Sequence, residues 1–450
     1  MTTQQPDDQG LYNNRCMTNA VENSVHVVEV DKIQVNLFFD GTLNNYFNVE
    51  TKDQAVIDRH GGKETSYDNA LSNVARMWDS LDKERDGPDL GLYVEGMGTT
   101  ELQGDDIAGK ALGTGETGMR SRAQSAFGPL KTLVAKKRGK QGLPALLELN
   151  LFGFSRGAAT ARHFVSLLRN GEEIAKHFPD RWSRVVVQVN FVGLFDTVSA
   201  EGVFPGNDVD ELQLRFEDDA ARRVFHLVAL DEYRENFPLT NIASACRAKS
   251  EVNSIRSRMG FELGIPGAHS DVGGGYKAGT AKPESAEVRH LPSLRGVHDH
   301  EGTTTLPGPR AFVYAQGWYT EQDRQPHAGM PHRHVRQVQG DYYKVGLSLM
   351  VDMAERHTTT QYPDKLKAEM QATAPEVAQV QQQLRAFAKD NAFVAWKPAQ
   401  QRWWLEANLG NEQAKAFRRR FLHLSFSDVF AMQPRYLAGT EQLERGHVLG

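Results

Sequence analysis

A serine between two glycines is the group in this sequence best suited to chemistry. Ser155 lies between Gly153 and Gly157, directly after an apolar run at 146–152 and directly before a helical pattern. A serine on a sharp strand-to-helix turn can act as a nucleophile, and flanking glycines allow that turn without Cβ clashes. The spacing therefore predicts a nucleophile elbow. The alternative is an ordinary turn whose serine caps the following helix.

Two later residues could complete a catalytic triad with this serine. Asp196 stands at the carboxyl end of the strand that the apolar run 185–192 predicts, and His269 follows in a glycine-rich loop. The chain order Ser, Asp, His is that of α/β-hydrolases, whose catalytic groups gather at strand carboxyl ends. We expect His269 to accept the proton of Ser155 and Asp196 to orient the imidazole. A carboxylate that only caps its loop is the alternative for Asp196.

The developing oxyanion of an acyl transfer reaction needs two N–H donors. The residue after the nucleophile usually supplies one of them, which here is Arg156. The second is expected from Gly41 or Thr42, at the tip of the first predicted strand, where glycine would let the main chain approach a substrate. A simple β-turn after that strand is the alternative.

The elements that must position these residues alternate between strand and helix. Apolar runs predict strands at 33–39, 90–94, 146–152, 185–192 and 224–230, and helical patterns lie between most of them. Such alternation favours a parallel sheet covered by helices on both faces. The predicted fold class is α/β, with an α/β-hydrolase-like, doubly wound, mostly parallel sheet, long loop insertions and a small C-terminal helical extension.

Changes in composition divide the chain into three parts. We expect a flexible tail at 1–28, a catalytic domain at 29–360 with a loop-rich insertion at 281–340, and a mainly helical extension at 361–450. The extension carries aromatic and basic residues, which suit an anionic membrane interface. The alternative is that its tryptophans pack on the core and its arginines form a solvated helix face. These residues are Trp396, Trp403, Trp404 and the run 417–421.

The composition argues against several other classes of protein. A net charge of −5 over 450 residues disfavours nucleic-acid binding, and two cysteines cannot form a disulfide framework. We expect neither a cofactor nor a metal. Two glycine-rich stretches between 104 and 118 lack the magnesium-binding hydroxyl or the preceding strand that nucleotide sites require. His226 reads as a core residue, whereas five later histidines are expected at the surface: His298, His300, His327, His332 and His334.

The amino-terminal region carries no recognisable export signal. Residues 1–23 are polar and lack the basic and apolar regions of a signal peptide, and no apolar run reaches the length of a membrane span. We therefore expect the protein to be made in the cytoplasm without a signal peptide. Action elsewhere would require a dedicated delivery machine.

Six motifs occur in an order that resembles a known family, the type VI secretion phospholipase effectors of family one. The resemblance covers residues 31–357 approximately. The motifs are Phe38-Phe-Asp-Gly-Thr-Leu-Asn-Asn45, Tyr93-Val-Glu-Gly-Met-Gly98, Gly153-Phe-Ser-Arg-Gly-Ala158, Phe195-Asp-Thr-Val198, Ala229-Leu-Asp-Glu232 and Pro266-Gly-Ala-His-Ser-Asp-Val-Gly-Gly-Gly-Tyr276.

The resemblance implies a triad of Ser155, Asp196 and His269, in agreement with the residue-based reading. It also implies a phospholipase A, of A1 or A2 type, that cleaves acyl esters of membrane phospholipids. Such effectors are delivered by a spike or adaptor protein into the periplasm of a rival bacterium, and an immunity protein neutralises them in the producer. A serine esterase with another substrate and a non-catalytic protein on the same scaffold remain the alternatives.

Overall fold

The computed structural model describes most of the chain. The described residues are 30–62, 65–82, 89–106, 114–200, 208–216, 219–246, 259–277, 286–299, 302–393, 404–428, 432–437, 440 and 442–450. The expected tail at 1–28, part of the glycine-rich stretch and the residues His300, Trp396 and Trp403 lie outside these ranges.

Strands and helices alternate as far as residue 195, and within the described ranges three further strands follow before the next helix. The strands are β1 Lys32–Phe39, β2 Leu90–Val94, β3 Leu146–Phe154, β4 Val186–Phe195, β5 Arg223–Ala229, β6 Leu239–Thr240, β7 Gly260–Ile265, β8 Glu287–His290, β9 Leu294–Asp299, β10 Gly302–Pro307, β11 Arg333–Arg336 and β12 His447–Val448. The helices are α1 Tyr46–Glu50, α2 Gln54–His60, α3 Asn73–Asp82, α4 Met119–Ser125, α5 Phe127–Arg138, α6 Arg156–Arg169, α7 Gly171–His177, α8 His269–Gly273, α9 Arg310–Ala315, α10 Tyr343–His357, α11 Asp364–Glu369, α12 Pro375–Asn391, α13 Trp404–Leu409 and α14 Asn411–Phe421.

The central sheet has six parallel strands in the order β2-β1-β3-β4-β5-β7. Because side chains alternate across a strand, β1 contributes to two separate cores. Phe38 stacks on Phe152 at 5.0 Å on the face that α10 covers, whereas Phe39 packs against Phe164 of α6 on the opposite face. A sheet buried on both faces explains the nearly continuous apolar character of β3 and β4. The predicted α/β, doubly wound fold is confirmed.

The strands predicted from the sequence occur where expected, but β7 was missed. Its sequence, Gly-Phe-Glu-Leu-Gly-Ile, contains two glycines and a glutamate, all unfavourable in strands. The fold accepts the glutamate because Glu262 pairs with His226 of β5, Nδ1 to Oε2, at 3.0 Å. A buried hydrogen-bonding partner on another strand therefore makes this strand possible.

The segment expected to be loop-rich is more ordered than its composition indicates. It holds two small antiparallel sheets, β8 with β11 and β9 with β10, together with α9. Trp318 and Tyr319 are completely buried in the same core as the central sheet. Glu287 of β8 binds Arg336 of β11 in the interior. Long-range burial and charge pairing, which leave no periodic sequence pattern, organise this segment.

Each arginine of the C-terminal run pairs with a carboxylate; Arg418 is buried, whereas Arg419 and Arg420 remain partly exposed. Arg418 is buried against Glu406, Arg419 forks onto Asp323, and Arg420 pairs with Glu376. Phe417 and Phe421 pack in the main core, and Trp404 is half-buried against it. The residues of this run therefore attach the C-terminal helices to the rest of the molecule. The domain boundary at 360 stays a prediction.

No helix in the described ranges has both the length and the apolar content required to cross a bilayer.

Candidate active site

Ser155 occupies a strained turn between β3 and α6. Its φ of 59° and ψ of −128° lie outside the regions that side-chain-bearing residues normally adopt. Two glycines permit the turn: a Cβ on Gly153 would lie 2.5 Å from the Ala158 Cα, and one on Gly157 2.3 Å from the Asp40 carbonyl oxygen. Ser155 therefore lies in a strained strand-to-helix turn between two tightly packed glycines, and its role as the nucleophile of an elbow stays a prediction.

The main chain fixes the elbow to the neighbouring strand. The Ser155 N–H donates to the Phe195 carbonyl at 2.9 Å, and Asp196 follows directly on that strand. Helix α6 starts at Arg156, so the first N–H groups of its initial turn point toward the serine end without partners inside the helix. The positive end of the helix dipole favours negative charge at this position.

Asp196 and His269 form a buried pair beside the elbow. The Nδ1 of His269 lies 2.5 Å from Oδ2 of Asp196, and both side chains are almost inaccessible to solvent. Asp196 has a positive φ of 46° and also accepts the Ala229 N–H at 2.9 Å. The pairing fixes the imidazole tautomer that leaves Nε2 as a proton acceptor.

The imidazole packs between two aromatic rings, one of which belongs to the residue before the serine. The His269 ring lies 4.6 Å from the ring of Phe154, the residue immediately before Ser155, and 5.2 Å from the ring of Phe237. Over the described ranges, the structure gives no hydrogen bond between the Ser155 hydroxyl and His269. Such bonds are often long in ligand-free sites and tighten when substrate binds.

The electrostatics of the pair suit a neutral base. Burial, the largest influence, would raise the pKa of Asp196, but Arg445 and His269 together hold it below its usual range. Burial lowers the pKa of His269 below its ordinary value and outweighs the opposing effect of Asp196. A neutral imidazole oriented by a carboxylate anion can accept a hydroxyl proton near neutral pH.

The loop after β1 adjoins the elbow, but its N–H groups differ in their roles. The Gly41 N–H donates to Oδ1 of Asp40 at 2.8 Å, so it is already used within the loop. The Thr42 hydroxyl accepts a hydrogen bond from Nε of Arg156 at 2.8 Å, which ties the loop to α6. The Gly41 N–H is thus engaged within the loop in this conformation, and the assignment of the second oxyanion donor to Gly41 or Thr42 stays a prediction.

Asp40 is a buried carboxyl group that the sequence analysis did not assign. It accepts the Tyr93 hydroxyl at 2.6 Å as well as the Gly41 N–H. Burial raises its pKa to about 6, against the opposing effect of its hydrogen bonds. Through these two hydrogen bonds, Asp40 fixes the loop after β1 against the neighbouring strand β2.

A second carboxylate supports the loop of His269. Oε2 of Glu232 accepts the His269 main-chain N–H at 3.3 Å. Arg234 donates to both oxygens of the same carboxylate, from Nη2 to Oε2 at 2.7 Å and from Nε to Oε1 at 2.9 Å. Burial would raise the pKa of Glu232, but Arg234 outweighs it and holds that pKa low. The motif Ala229-Leu-Asp-Glu232 was visible in the sequence, yet nothing in its pattern revealed this support. Arg445, the other missed residue, gave no sequence signal.

The remaining histidines do not form a metal site within the described ranges, where no group of three or more His, Cys, Asp or Glu side chains is placed to bind an ion. His226 is a core residue, as predicted, whereas the expectation that His334 is solvated was wrong. His334 is completely buried, with Nε2 2.7 Å from the Tyr314 hydroxyl. A hydrogen-bonding partner made its burial possible.

An open parallel sheet with a strained serine turn and an Asp–His pair at the next strand ends defines an α/β-hydrolase-like protein. The family model described as the Tle1-like phospholipase effector of type VI secretion, catalytic domain, matches residues 169–293. That segment contains Asp196 and His269. The resemblance to type VI secretion phospholipase effectors of family one is thereby confirmed.

Solved structures also resemble the chain, among them one effector complex and one uncharacterised protein. The Tle1 effector bound to the VgrG spike of the type 6 secretion system is 21% identical, covers 92% of this chain and 89% of its own, and superposes with a TM-score of 0.54. An uncharacterised protein from Pseudomonas aeruginosa is also 21% identical, covers 86% of this chain and 56% of its own, and gives a TM-score of 0.44. The first of these supports the fold. Among curated proteins, no sequence matches significantly.

Proposed function

We propose that this chain is an antibacterial phospholipase A, of A1 or A2 type, that hydrolyses acyl esters of membrane phospholipids. The observation that carries the proposal is the buried pair of His269 and Asp196 beside the strained Ser155 turn. A purely structural turn would not need a strained serine next to an oriented imidazole. The match of residues 169–293 to a phospholipase effector family supports the lipid substrate.

The proposed reaction proceeds through an acyl-enzyme. His269 Nε2 takes the proton of Ser155 as its hydroxyl attacks the ester carbonyl, and Asp196 stabilises the imidazolium. The N–H groups of Arg156 and Thr42 stabilise the tetrahedral oxyanion, helped by the positive end of α6. The imidazolium then protonates the departing lysophospholipid. Water, activated by the same imidazole, releases the fatty acid and restores Ser155.

The family and the solved neighbour also suggest how the enzyme reaches its substrate. The Tle1 effector of the solved complex is bound to the VgrG spike, and we propose a comparable spike or adaptor partner here. The expected site of action is the periplasm of a target bacterium. An immunity protein in the producing cell would block the active site or its access to lipid.

Release of fatty acid from phospholipid vesicles, measured for wild type and Ser155→Ala, tests the proposal. We expect Ser155→Ala to lose turnover by about 10⁴-fold or more, because the nucleophile is gone. Ser166→Ala is the matched control, since Ser166 lies on the same helix and donates to its own helix at the His163 carbonyl. The chain released would assign the A1 or A2 position.

Labelling by a fluorophosphonate probe separates the remaining alternatives. A labelled Ser155 with no fatty acid released, together with turnover of soluble short-chain esters, would favour a serine esterase of another substrate class. An unlabelled, folded wild type would favour a non-catalytic role for this scaffold.

A further inference from the structure

Arg445 forms a two-pronged contact with the candidate catalytic carboxylate. Its Nη1 lies 2.6 Å from Oδ1 of Asp196 and its Nη2 lies 2.8 Å from Oδ2. The same guanidinium donates to the carbonyls of Ala229 at 3.2 Å and Phe237 at 3.0 Å. Arg445 is therefore held on several sides while it binds both oxygens of Asp196. Such planar, bidentate pairs are the strongest and most directional ion pairs in proteins.

The segment that carries Arg445 is fixed by main-chain pairing. Strand β12 pairs with β6 in parallel register, His447 with Leu239 and Val448 with Thr240. The Leu239 N–H also donates to the Gly446 carbonyl at 2.7 Å. From β6 the connection returns to the site, because the Thr240 N–H donates to the carbonyl of Thr197, the neighbour of Asp196. The position of the guanidinium is thus set by backbone on both sides.

We propose that Arg445 is a positioning residue for the ester hydrolysis, acting on His269 through Asp196. It fixes the orientation of the carboxylate that His269 must bind, and it neutralises the charge of that carboxylate. Residues 442–450, more than 170 positions after His269, would then complete the catalytic site. The inference rests on the proposed serine-hydrolase function and adds a residue to its machinery.

Charge neutralisation is the part of this role that can be measured. Two carboxylates face His269: Asp196, paired with Arg445, and Glu232, paired with Arg234. On the helix of His269 itself, Asp271 is paired with His423 at 2.7 Å. Each negative group close to the imidazole therefore has its own partner. Removal of Arg445 would leave Asp196 uncompensated, and an uncompensated anion favours the protonated imidazole.

Loss of Arg445 should shift the pH dependence of Ser155 labelling. The base must be neutral to activate Ser155, so labelling of Ser155 slows as the pH falls through the His269 pKa. Loss of the Arg445 cation raises that pKa and moves the acid limb of the labelling rate to higher pH. A purely structural role would change the folded fraction but would leave the limb where it was.

The experiment compares fluorophosphonate labelling rates, per folded molecule, between pH 5 and 8.5 in wild type, Arg445→Gln, Arg445→Lys and Arg435→Gln. Arg435→Gln is the matched control, because Arg435 belongs to the same region and pairs with Glu444 at 3.5 Å. We expect Arg445→Gln to move the acid limb upward by about one pH unit. Arg445→Lys should leave the acid limb of the labelling rate at the wild-type pH. Its plateau rate should fall about tenfold, because an ammonium group cannot bind both carboxylate oxygens in the fixed geometry of a guanidinium.

If folded Arg445→Gln shows the same acid limb and the same plateau labelling rate as the wild type, the inference is wrong. If that variant does not fold, Arg445→Lys decides: a wild-type plateau contradicts the positioning role, and a reduced plateau at an unmoved limb supports it. A wild type that is not labelled at all would refute the serine hydrolase and the inference with it. A labelled wild type that releases no fatty acid contradicts only the lipid substrate, and the Arg445 rates still decide the inference.

Discussion

Two buried histidine–carboxylate pairs of the described chain can be compared, and we propose a catalytic role for only one of them. His226, in the middle of β5, contacts Glu262 with Nδ1 at 3.0 Å and accepts the Thr197 N–H with Nε2 at 3.0 Å. His269, at the start of α8 just after β7, contacts Asp196 with Nδ1. Across the described part of the chain, the structure gives its Nε2 no hydrogen-bonding partner. The residue types are nearly the same, but the second nitrogen is used in one pair and left available in the other.

The difference shows how position in a parallel sheet decides the role of a histidine. A side chain in the middle of a buried strand meets only protein atoms, so every polar group needs a permanent partner. A loop at the carboxyl end of a strand faces the cleft where ligands bind in open α/β sheets. The pair of His226 and Glu262 therefore stabilises the sheet, whereas we propose that the pair of His269 and Asp196 exchanges protons with a substrate.

Identical substitutions at the two histidines should produce the largest contrast. His269→Gln should lower vesicle hydrolysis by about 10⁴-fold or more, since the base is lost, with a small change in unfolding free energy. His226→Gln should instead lower the free energy of unfolding by about 1–3 kcal/mol, because an amide cannot satisfy both of the original contacts. Denaturant unfolding and hydrolysis per folded molecule are the two measurements. A folded His226→Gln protein without activity would break the distinction.

Substitutions of the two carboxylates, Asp196 and Glu262, should also affect activity unequally, but by less than the histidine substitutions. Asp196→Asn keeps the shape but removes the anion that orients His269 and stabilises the imidazolium, so turnover should fall by about 10³- to 10⁴-fold. Glu262→Gln, the matched change in the other pair, should retain activity within about tenfold while it destabilises the sheet. Probe labelling of folded protein measures the loss of activity, and thermal unfolding measures the loss of stability. Equal losses of activity would show that both pairs serve the site.

The pH dependence of activity should also depend on which pair is changed. Because burial lowers the pKa of His269 below its ordinary value, its imidazole stays neutral to a lower pH than a solvated histidine. We therefore expect kcat/KM on vesicles to stay flat from pH 8 down to the ordinary histidine pKa of about 6.5, and to fall about tenfold per pH unit only at a lower pH. His226→Gln should keep that acid limb unchanged. A limb at or above the ordinary histidine pKa would contradict the direction of the shift.

The parts of the site that come from contiguous residues were accessible to sequence reasoning. The elbow follows from two glycines, one serine and the flanking apolar and helical patterns, all within about twenty residues. The strands β1, β3, β4 and β5 were readable because burial on both faces leaves long apolar runs. Strand β7 was not readable, since its glutamate is tolerated through partners from elsewhere in the chain, His226 and the Ile242 N–H.

The fold class and the location of the Ser155 turn could thus be predicted from the sequence, because local geometry and periodic burial leave local patterns. The packing of distant elements establishes which histidine has an available nitrogen and which carboxylates support His269. It also brought Arg445 onto Asp196, across 249 positions of the chain. Such contacts join side chains from different strands and leave no periodic trace, since each depends on how the other elements pack.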